Sequence, residues 1–437
     1  MSQISGSNTG GTCFIVHPVL LSDHKGTSQI SSGRNTASMV AEISGLAEAI
    51  NLEIIEVVSA NVRKISAGHF LGKGIRETIA ELAAEQEPDV IIVNAALSPV
   101  QQRNLELEWK SKVIDRTGLI LEIFGARAQT REGKMQVELA ALSYQRSRLV
   151  RSWTHLERQR GGTGSTGGPG ETQIELDRRM IDDKISSLKL QLEQVRKNRD
   201  LQRKSRERVP FPVVALVGYT NAGKSTLFNK LTGADVFAQD LLFATLDPTM
   251  RRLKLPGGRD AILSDTVGFI SDLPTHLIAA FRATLEQVQY ADVILHVRDI
   301  ASPETEAQRE DVIAILKDLG VDYDSDTRII EVFNKIDLVE EKNIWLRDPE
   351  MRGRQIPVSA VSGEGLDVLL ETVEKTMAGT HQEMTITLDA SNGKAFSWLH
   401  RHASVLDRQD DGEKVHIKVS ISDNEYQKYI GLFGTAL

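Results

Sequence analysis

The chain has 437 residues, of which 41% are hydrophobic and 26% charged, and its formal net charge is −8. A chain of this length suggests about two to four domains. The proportions of hydrophobic and charged residues are typical of a globular protein and argue against a disordered, collagen-like or membrane class. No uncharged apolar run reaches the ~18 residues that would span a bilayer. The single cysteine excludes an intramolecular disulfide, and the polar segment 1–12 lacks the layout of a signal or transit peptide. We therefore expect a cytoplasmic protein with a flexible N-terminal tail.

Residues 13–124 alternate short apolar runs with helical patterns. The strand candidates are 14–20, 53–58 and 90–93, and the helix candidates are 37–49 and 75–85. Such alternation predicts βαβ units on a small parallel sheet. This segment is predicted to be an N-terminal α/β subdomain.

Residues 125–209 have the pattern of two long helices. Hydrophobic residues recur every seven positions along both, which predicts an antiparallel helical hairpin. The stripes are Met135, Leu142, Leu149 and Leu156, then Ile174, Ile181, Leu188 and Val195, with Leu139, Trp153, Ile185 and Leu192 between them. The joining segment 161–170 holds six glycines and one proline, so neither helix is expected to continue through it.

The hairpin region is also the basic part of the chain. Segment 146–209 has 16 lysine and arginine residues against 9 aspartate and glutamate residues. Its balance of +7 leaves −15 on the rest of the chain, because the total is −8. This asymmetry is typical of a segment with an anionic partner such as RNA. On charge alone, a solvated helical face is the favoured alternative.

The βα alternation returns in residues 210–380. The strand candidates are 213–217, 261–264, 293–297, 329–333 and 356–358. They predict an α/β domain with a mostly parallel sheet. Residues 381–437 have a strand pattern at 384–388, a helical pattern at 394–404 and a second strand pattern at 414–419, which predicts a small α+β domain.

A phosphate-binding loop is predicted at 218–225, where the sequence is Gly-Tyr-Thr-Asn-Ala-Gly-Lys-Ser. The loop follows strand candidate 213–217 and precedes a helical pattern, so its backbone N–H groups can surround phosphates at a helix N-terminus. Lys224 is expected to contact the β- and γ-phosphates and Ser225 to bind Mg²⁺. The expected nucleotide contacts are Gly218, Tyr219, Thr220, Asn221, Ala222, Gly223, Lys224 and Ser225.

Three further motifs follow strand candidates in order. After 261–264, Asp265 is expected to hold Mg²⁺ through water, and Gly268 to donate its N–H to the γ-phosphate. After 329–333, Asp337 can accept from the N1–H and 2-amino group of guanine, which favours GTP over ATP. Lys335 would lie along the base, and the Ala360 N–H would reach the guanine O6. These motifs add Asp265, Thr266, Val267, Gly268, Asn334, Lys335, Ile336, Asp337, Ser359, Ala360 and Val361 to the predicted site.

The segment 243–249, Phe-Ala-Thr-Leu-Asp-Pro-Thr, is predicted to be a switch loop that orders with GTP. It must offer a hydroxyl to Mg²⁺ and the γ-phosphate, for which Thr245 is chosen and Thr249 is the rival. Its predicted contacts are Phe243, Ala244, Thr245, Leu246 and Asp247.

The residue after Gly268 is Phe269, where Ras-type enzymes have a glutamine that orients water. Intrinsic hydrolysis is therefore expected to be slow. The Asn221 carbonyl oxygen could help to hold a monovalent cation such as K⁺ that replaces a stabilising arginine; the alternative is that Asn221 only caps the turn. The expected catalytic groups are Lys224, Thr245, Gly268 and Asn221.

The chain resembles the HflX-type GTPases, a ribosome-associated family. The resemblance lies in 113–121 (Val-Ile-Asp-Arg-Thr-Gly-Leu-Ile-Leu), 153–158 (Trp-Thr-His-Leu-Glu-Arg), the glycine segment with 170–173, 218–228, 243–249 and 265–269. It covers roughly residues 13 to 380. It implies an N-terminal α/β subdomain, a helical hairpin, a GTPase domain and a variable C-terminal domain.

The same resemblance implies partners and a role. It implies binding to the large ribosomal subunit and its RNA, with the glycine segment directed towards the peptidyl-transferase centre, and splitting or rescue of stalled ribosomes, including under stress. A monomer without integral membrane contact is expected.

Two alternatives remain beside that role. A GTPase of ribosome assembly or RNA modification would share the phosphate loop, but it usually needs a distinct catalytic or RNA-binding module. A non-catalytic nucleotide-binding scaffold is disfavoured because Lys224, Ser225, Thr245 and Asp265 are all intact.

Overall fold

A computed structural model of the protein describes residues 10–20, 35–159, 169–206, 211–233, 242–243, 249–271, 288–339, 354–379 and 381–434. Its first part, here called the N-terminal unit, is a four-stranded sheet with helices on both faces. The elements are β1 (Thr12–Leu20), α1 (Thr36–Glu48), β2 (Glu53–Val62), α2 (Lys73–Gln86), β3 (Val90–Val93), α3 (Pro99–Trp109), β4 (Lys112–Asp115) and α4 (Arg116–Arg127). The strand order is β2-β1-β3-β4, and every pair is parallel.

The sequence alternation in β1 divides the N-terminal unit into two cores. Successive strand residues point to opposite faces. Cys13 and Ile15 therefore pack with α1 and α4, while Phe14 and Val16 pack with α2 and α3. Covering both faces in this way is what buries a parallel sheet.

Helix α3 and strand β4 were not among the predicted elements. The strand has only four residues and begins with a lysine, so it lacks a long apolar run. Helix α3 does carry a start signal, because Ser98 and Gln101 form a capping box and Pro99 is the first helical residue.

The predicted helical hairpin is confirmed. Helices α5 (Arg131–Gln159) and α6 (Pro169–Arg206) pack antiparallel, and Arg146 on the first pairs with Asp182 on the second at 2.8 Å. Their seam contains Met135, Leu139, Leu142, Ile181, Ile185, Leu188, Leu192 and Val195. The side chains of Leu149, Trp153, Leu156 and Ile174 lie outside the described residues, as does segment 160–168.

One boundary of the glycine segment is corrected. Pro169 and Gly170 belong to α6, although the sequence predicted that the helix starts after them. A proline in the first helical turn loses no hydrogen bond, because the first N–H groups of a helix have no intrahelical acceptor.

The next part, here called the GTPase domain, contains a six-stranded sheet. Its elements are β5 (Val213–Gly218), α7 (Lys224–Thr232), β6 (Thr249–Lys254), β7 (Asp260–Asp265), β8 (Val293–Asp299), α8 (Thr305–Asp318), β9 (Ile329–Asn334), a 3₁₀ turn (Ile336–Leu338), β10 (Gln355–Pro357) and α9 (Leu366–Gly379). The strand order is β10-β9-β8-β5-β7-β6, and only β6 runs antiparallel to its neighbour. The mostly parallel sheet predicted from the sequence is confirmed. Strand β10 ends at Pro357, one residue before the predicted end.

The last part is a small α+β domain, as predicted. Strands β11 (His381–Asp389), β12 (Ser404–Asp411) and β13 (Lys414–Ser422) form an antiparallel sheet in the order β11-β13-β12. Helices α10 (Gly393–His402) and α11 (Asp423–Phe433) pack on it. The helix predicted to reach Ser404 is wrong at its end, because Ser404 opens β12.

Within the described ranges, no helix is both long and apolar enough to cross a membrane.

Candidate nucleotide-binding site

The turn from β5 to α7 depends on two glycines. Gly218 has φ +152° and Gly223 has φ +89°, values that side chains rarely permit. A Cβ atom at Gly218 would collide with the Val297 carbonyl oxygen, and one at Gly223 would collide with the Asn334 amide nitrogen. The backbone therefore approaches its neighbours so closely that only glycine fits, and the N-terminus of α7 opens onto the loop.

Lys224 lies buried at that N-terminus. Its Nζ donates to the Tyr219 carbonyl oxygen at 2.7 Å, and the residue is 6% exposed. Burial lowers the pKa of Lys224 to about 8, and the charge of Asp265 opposes that shift. An ammonium group held inside a loop of backbone N–H donors is suited to contact phosphate oxygens.

Ser225 and Asp265 bring two hard oxygen atoms close together. The Ser225 hydroxyl donates to Asp265 Oδ2 at 2.9 Å, and Asp265 is fully buried at the end of β7. Mg²⁺ is commonly bound by one or two such oxygens, completed by nucleotide phosphates and water. No group of three or more histidine, cysteine or acidic residues within the described ranges could hold a metal by itself. These residues therefore fit an Mg²⁺ ion that arrives with a nucleotide.

The segment after Asp265 lies directly on the phosphate loop. The Thr220 N–H donates to the Phe269 carbonyl at 2.7 Å, and the Phe269 N–H donates to the Gly218 carbonyl at 3.1 Å. At Gly268, a Cβ atom would lie 3.0 Å from Lys224 Nζ and 2.9 Å from the Thr220 methyl carbon. The Gly268 backbone is thus beside the ammonium group that is suited to a terminal phosphate.

Phe269 points away from this site. Its side chain is 2% exposed and packs with Ala215, Val217 and Ile294 in the core under the sheet. It has neither the polarity nor the direction needed to align water, in agreement with the sequence prediction.

The motifs predicted to bind guanine meet at the carboxyl ends of β9 and β10. Asn334 Nδ2 donates to the Ala222 carbonyl at 2.9 Å, and Asn334 Oδ1 accepts from the Ala360 N–H at 3.0 Å. One side chain therefore connects the phosphate loop to the segment after β10. Because this hydrogen bond uses the Ala360 N–H, a contact from that group to guanine O6 would have to share or replace it.

The two charged residues of the guanine motif have different surroundings. Lys335, at φ +67°, pairs with Asp299 at 2.7 Å and is half-buried. Asp337 is exposed in the 3₁₀ turn, where its carboxylate is accessible to a base. Val361 is 73% exposed at the same edge, whereas Ser359 is fully buried.

Several predicted contact residues turn their side chains into the protein. Thr266 Oγ1 donates to the Leu216 carbonyl at 2.6 Å, and Val267, Ile336 and Ala222 are buried. In this arrangement their side chains do not face the loop, so any contact that they make with a nucleotide uses the backbone.

The predicted switch loop is described only in part. Ala244, Thr245, Leu246 and Asp247 lie outside the described residues. Thr249, the alternative candidate for the hydroxyl that binds Mg²⁺, is the first residue of β6 and pairs with Asp265 of the neighbouring strand β7. It therefore lies in a strand and not in a loop.

Phe243 has a role that the sequence did not indicate. Its ring packs edge-to-face against Phe124 of α4, with centroids 4.7 Å apart, and Leu242 and Phe243 belong to the core of the N-terminal unit. The start of the switch segment is thus anchored in another part of the chain. Asn221 is exposed with φ +59°, a conformation that asparagine tolerates in turns.

Four family models match consecutive parts of the chain. They are described as GTP-binding GTPase N-terminal (residues 37–125), GTP-binding GTPase Middle Region (127–206), 50S ribosome-binding GTPase (213–335) and HflX C-terminal domain (346–432). The last match extends the similarity beyond residue 380, where the resemblance in the sequence had ended.

Curated relatives match over most of their length. GTPase HflX of Magnetococcus marinus is 52% identical over 369 residues, covering 84% of this chain and 84% of that protein. GTPase HflX of Escherichia coli is 40% identical over 386 residues, covering 87% of this chain and 90% of that protein. Among solved structures, a GTP-binding protein from Sulfolobus solfataricus in complex with GDP is 22% identical with a TM-score of 0.46, covering 84% of this chain and 99% of that one.

Proposed function

The chain belongs to the HflX family of GTPases, and we propose that it is a cytoplasmic monomer that binds the large ribosomal subunit. In its GTP-bound state it splits or rescues stalled ribosomes, including under stress, and hydrolysis of GTP to GDP and phosphate ends that state. Intrinsic hydrolysis is slow and the ribosome stimulates it. The match to a model described as a 50S ribosome-binding GTPase supports the partner.

In this proposal the nucleotide site uses the residues predicted from the sequence. Lys224 binds the β- and γ-phosphates, Gly268 donates its N–H to the γ-phosphate, and Asp337 selects guanine. Ser225, Thr245 and Asp265 would hold Mg²⁺, which when bound supplies charge neutralisation at the phosphates. The Ser225–Asp265 hydrogen bond of 2.9 Å supports this assignment, because the two oxygens already lie close together.

The monovalent-cation role of Asn221 is a further part of the proposal. Phe269 supplies no water-orienting group, so charge stabilisation must come from elsewhere. Replacing K⁺ by Na⁺ at constant ionic strength should lower turnover, and Asn221→Ala should remove the difference. Equal rates of the unchanged protein in both salts would leave Asn221 as a turn residue only.

The observation that carries ribosome binding is the basic outer face of α6. Ile185 and Leu188 face the seam with α5, while basic residues before and after them along α6 face solvent. The exposed members are Arg178, Arg179, Lys184, Lys189 and Lys197. Some have acidic neighbours, since Lys197 pairs with Glu193 and Arg178 lies 3.9 Å from Asp182. Lysine and arginine on a helical face position a protein on phosphates without reading base sequence.

The hairpin is joined firmly to the N-terminal unit. The Tyr144 hydroxyl on α5 donates to Asp115 Oδ1 at 2.8 Å, and Arg148 bonds to Tyr144 and Gln102. Burial and the charge of Asp115 raise the pKa of Tyr144, so it remains a neutral donor. A hairpin fixed at its base can transmit a movement of the N-terminal unit to its tip.

A charge-reversal experiment tests ribosome binding. Arg179→Glu, Lys184→Glu and Lys189→Glu together should weaken binding to large subunits and reduce the slope of log affinity against log salt by roughly one per lost phosphate contact. The matched control changes three exposed lysines elsewhere to glutamate, which gives the same change in net charge. These lysines are Lys254, Lys317 and Lys414. If both triple variants bind equally weakly, the effect is one of net charge and the α6 face is not the contact.

A second variant separates binding from splitting. Replacing segment 161–170 with a short turn should leave much of the subunit binding but abolish ribosome splitting, measured by light scattering. If the shortened protein splits ribosomes at the normal rate, the segment is only a connector.

A further inference from the structure

A buried ion pair of the N-terminal unit contacts the GTPase domain beside the phosphate loop. Glu42 on α1 and Arg116 at the start of α4 are bonded, with side chains 14% and 9% exposed. Arg116 also donates to Asn94 Oδ1 at 3.0 Å, and the Asn94 amide bonds to His17 Nδ1 at 3.0 Å. Since its partners in the N-terminal unit are themselves bonded, the pair is held in one arrangement.

Glu42 and Arg116 also form hydrogen bonds with two residues of the GTPase domain, Tyr219 and Ser271. Glu42 accepts from the Tyr219 hydroxyl and, at 2.9 Å, from the Ser271 hydroxyl. Arg116 donates to Ser271 Oγ at 2.9 Å and to the Ser271 carbonyl at 3.2 Å. The Ser271 N–H donates to the Tyr219 hydroxyl at 2.7 Å. The backbone N–H, the carbonyl and the hydroxyl of Ser271 are therefore all bound within this cluster.

Tyr219 and Ser271 lie at the two segments that meet around the terminal phosphate position. Tyr219 belongs to the phosphate loop, and its carbonyl accepts from Lys224 Nζ. Ser271 follows Gly268 by three residues. Phe269, which lies between them, bonds through its backbone to Gly218 and Thr220, the residues on either side of Tyr219. Glu42 and Arg116 thus fix the separation between the loop and the Gly268 backbone.

We infer that Glu42 and Arg116 are positioning residues for GTP hydrolysis, which hold the Gly268 N–H in place against the phosphate loop. A donor that is already fixed needs no reorganisation when charge develops on the γ-phosphate. GDP lacks that phosphate, so the ion pair matters for the GTP reaction and not for GDP binding. This inference rests on the proposed contact between Gly268 and the γ-phosphate.

Two mild variants test it from opposite sides of the contact. Tyr219→Phe removes one hydroxyl and keeps the ring, and Glu42→Gln keeps the shape of a side chain that belongs to the N-terminal unit. Each should lower kcat by about tenfold, the rate equivalent of one lost hydrogen bond to a charged group, with KM within about twofold. The combined loss in the double variant should be smaller than the product of the two single losses, because Tyr219 and Glu42 share one hydrogen bond.

The matched control is Tyr144→Phe. It also removes a buried tyrosine hydroxyl bonded to a carboxylate of the N-terminal unit, Asp115, but on the side that holds the hairpin. Its intrinsic kcat should equal that of the unchanged protein. Titration with a fluorescent GDP counts the folded sites in every variant, so kcat is expressed per functional site, and GDP affinity should stay within about twofold.

The possible outcomes distinguish the positioning role from the nucleotide site itself. Unchanged kcat in Glu42→Gln would show that the ion pair only packs the two parts together, and a raised kcat would show that it restrains the reaction; both overturn the inference. A parallel fall in GDP affinity and kcat would also overturn it, because it indicates a structural role. Failure of the unchanged protein to hydrolyse GTP would instead refute the proposed nucleotide site.

Discussion

The N-terminal unit and the GTPase domain are both parallel sheets covered by helices, yet their carboxyl edges are built differently. In the GTPase domain, Gly218 and Gly223 leave no side chain at the edge, and their positive φ angles shape the loop that leads into α7. In the N-terminal unit, Asn94 and Arg116 occupy the same edge and bond to each other, and Arg116 also bonds to Ser271. Parallel sheets tend to bind ligands at this edge. In this chain glycines open the edge of the GTPase domain, whereas the edge of the N-terminal unit makes a contact between the two parts.

The largest effect should come from closing the open edge. In Gly218→Ala, the added Cβ would collide with the Val297 carbonyl at a φ of +152°. We expect a loss of about 3 kcal/mol or more in the free energy of unfolding and no detectable GDP binding. Chemical denaturation and a fluorescent GDP titration measure the two effects. A stable variant that binds GDP normally would contradict the glycine requirement.

The next effect concerns the base. Asp337→Asn replaces a carboxylate that can accept two hydrogen bonds with a group that accepts one, so GTP affinity should fall about 10- to 100-fold. Affinity for xanthosine triphosphate should rise, because that base presents an oxygen to the new amide. The control Asp324→Asn makes the same chemical change at an exposed aspartate near the start of β9. Normal GTP affinity in Asp337→Asn would remove Asp337 from the site.

A buried histidine of the GTPase domain should make its stability depend on pH. Burial lowers the pKa of His296 to about 3, although Glu331 opposes the shift. In the unfolded chain this histidine binds a proton below about pH 6.5, whereas in the folded chain it stays neutral down to about pH 3. The free energy of unfolding therefore falls as the pH drops below about 6.5.

The slope should reach about 1.4 kcal/mol per pH unit for this one proton. His296→Asn keeps an N–H near the Tyr323 hydroxyl, which His296 contacts at 2.6 Å, and should reduce the slope between pH 6.5 and 4.5. His17 of the N-terminal unit also has a lowered pKa, caused by burial and Arg116, so some slope should remain. An unchanged slope in denaturation curves across this range would contradict the assignment to His296.

The smallest effect is expected in the N-terminal unit and has the opposite sign. Gly74 lies in the first turn of α2, and a Cβ atom added there would meet nothing within 4 Å, in contrast to Gly218. Gly74→Ala should raise the free energy of unfolding by roughly 0.5–1 kcal/mol, because glycine loses more chain entropy in a helix. GDP affinity should not change. Destabilisation by this variant would show that the space around Gly74 is needed.

Local patterns in the sequence were enough to predict many of the elements. The apolar runs in β3 and β5 and the seven-residue spacing of α5 and α6 identified buried strands and a helical pair. The spacing of the loop around Lys224 likewise predicted the turn that joins β5 to α7. Strand β6 was missed, because its exposed Met-Arg-Arg run lacks the apolar pattern of a buried strand.

Features that depend on distant residues had no such signal. Glu42 and Arg116 are 74 positions apart, and Ser271 is a further 155 positions along the chain. Arg116 lies in segment 113–121, which carries part of the resemblance, but no local pattern gives it or Glu42 a partner, since an isolated glutamate or arginine is usually a solvated surface residue. Their connection becomes visible only when two separate sheets lie against each other.

Nucleotide control of ribosome binding is tested by sedimentation of the protein with large ribosomal subunits in the presence of GDP, GTP or a non-hydrolysable GTP analogue. We predict strong co-sedimentation with the analogue, weak co-sedimentation with GDP, and loss of the difference in Gly218→Ala, which cannot form the phosphate loop. Equal binding in all nucleotide states, or binding of Gly218→Ala at the level that the analogue gives with the unchanged protein, would contradict that control.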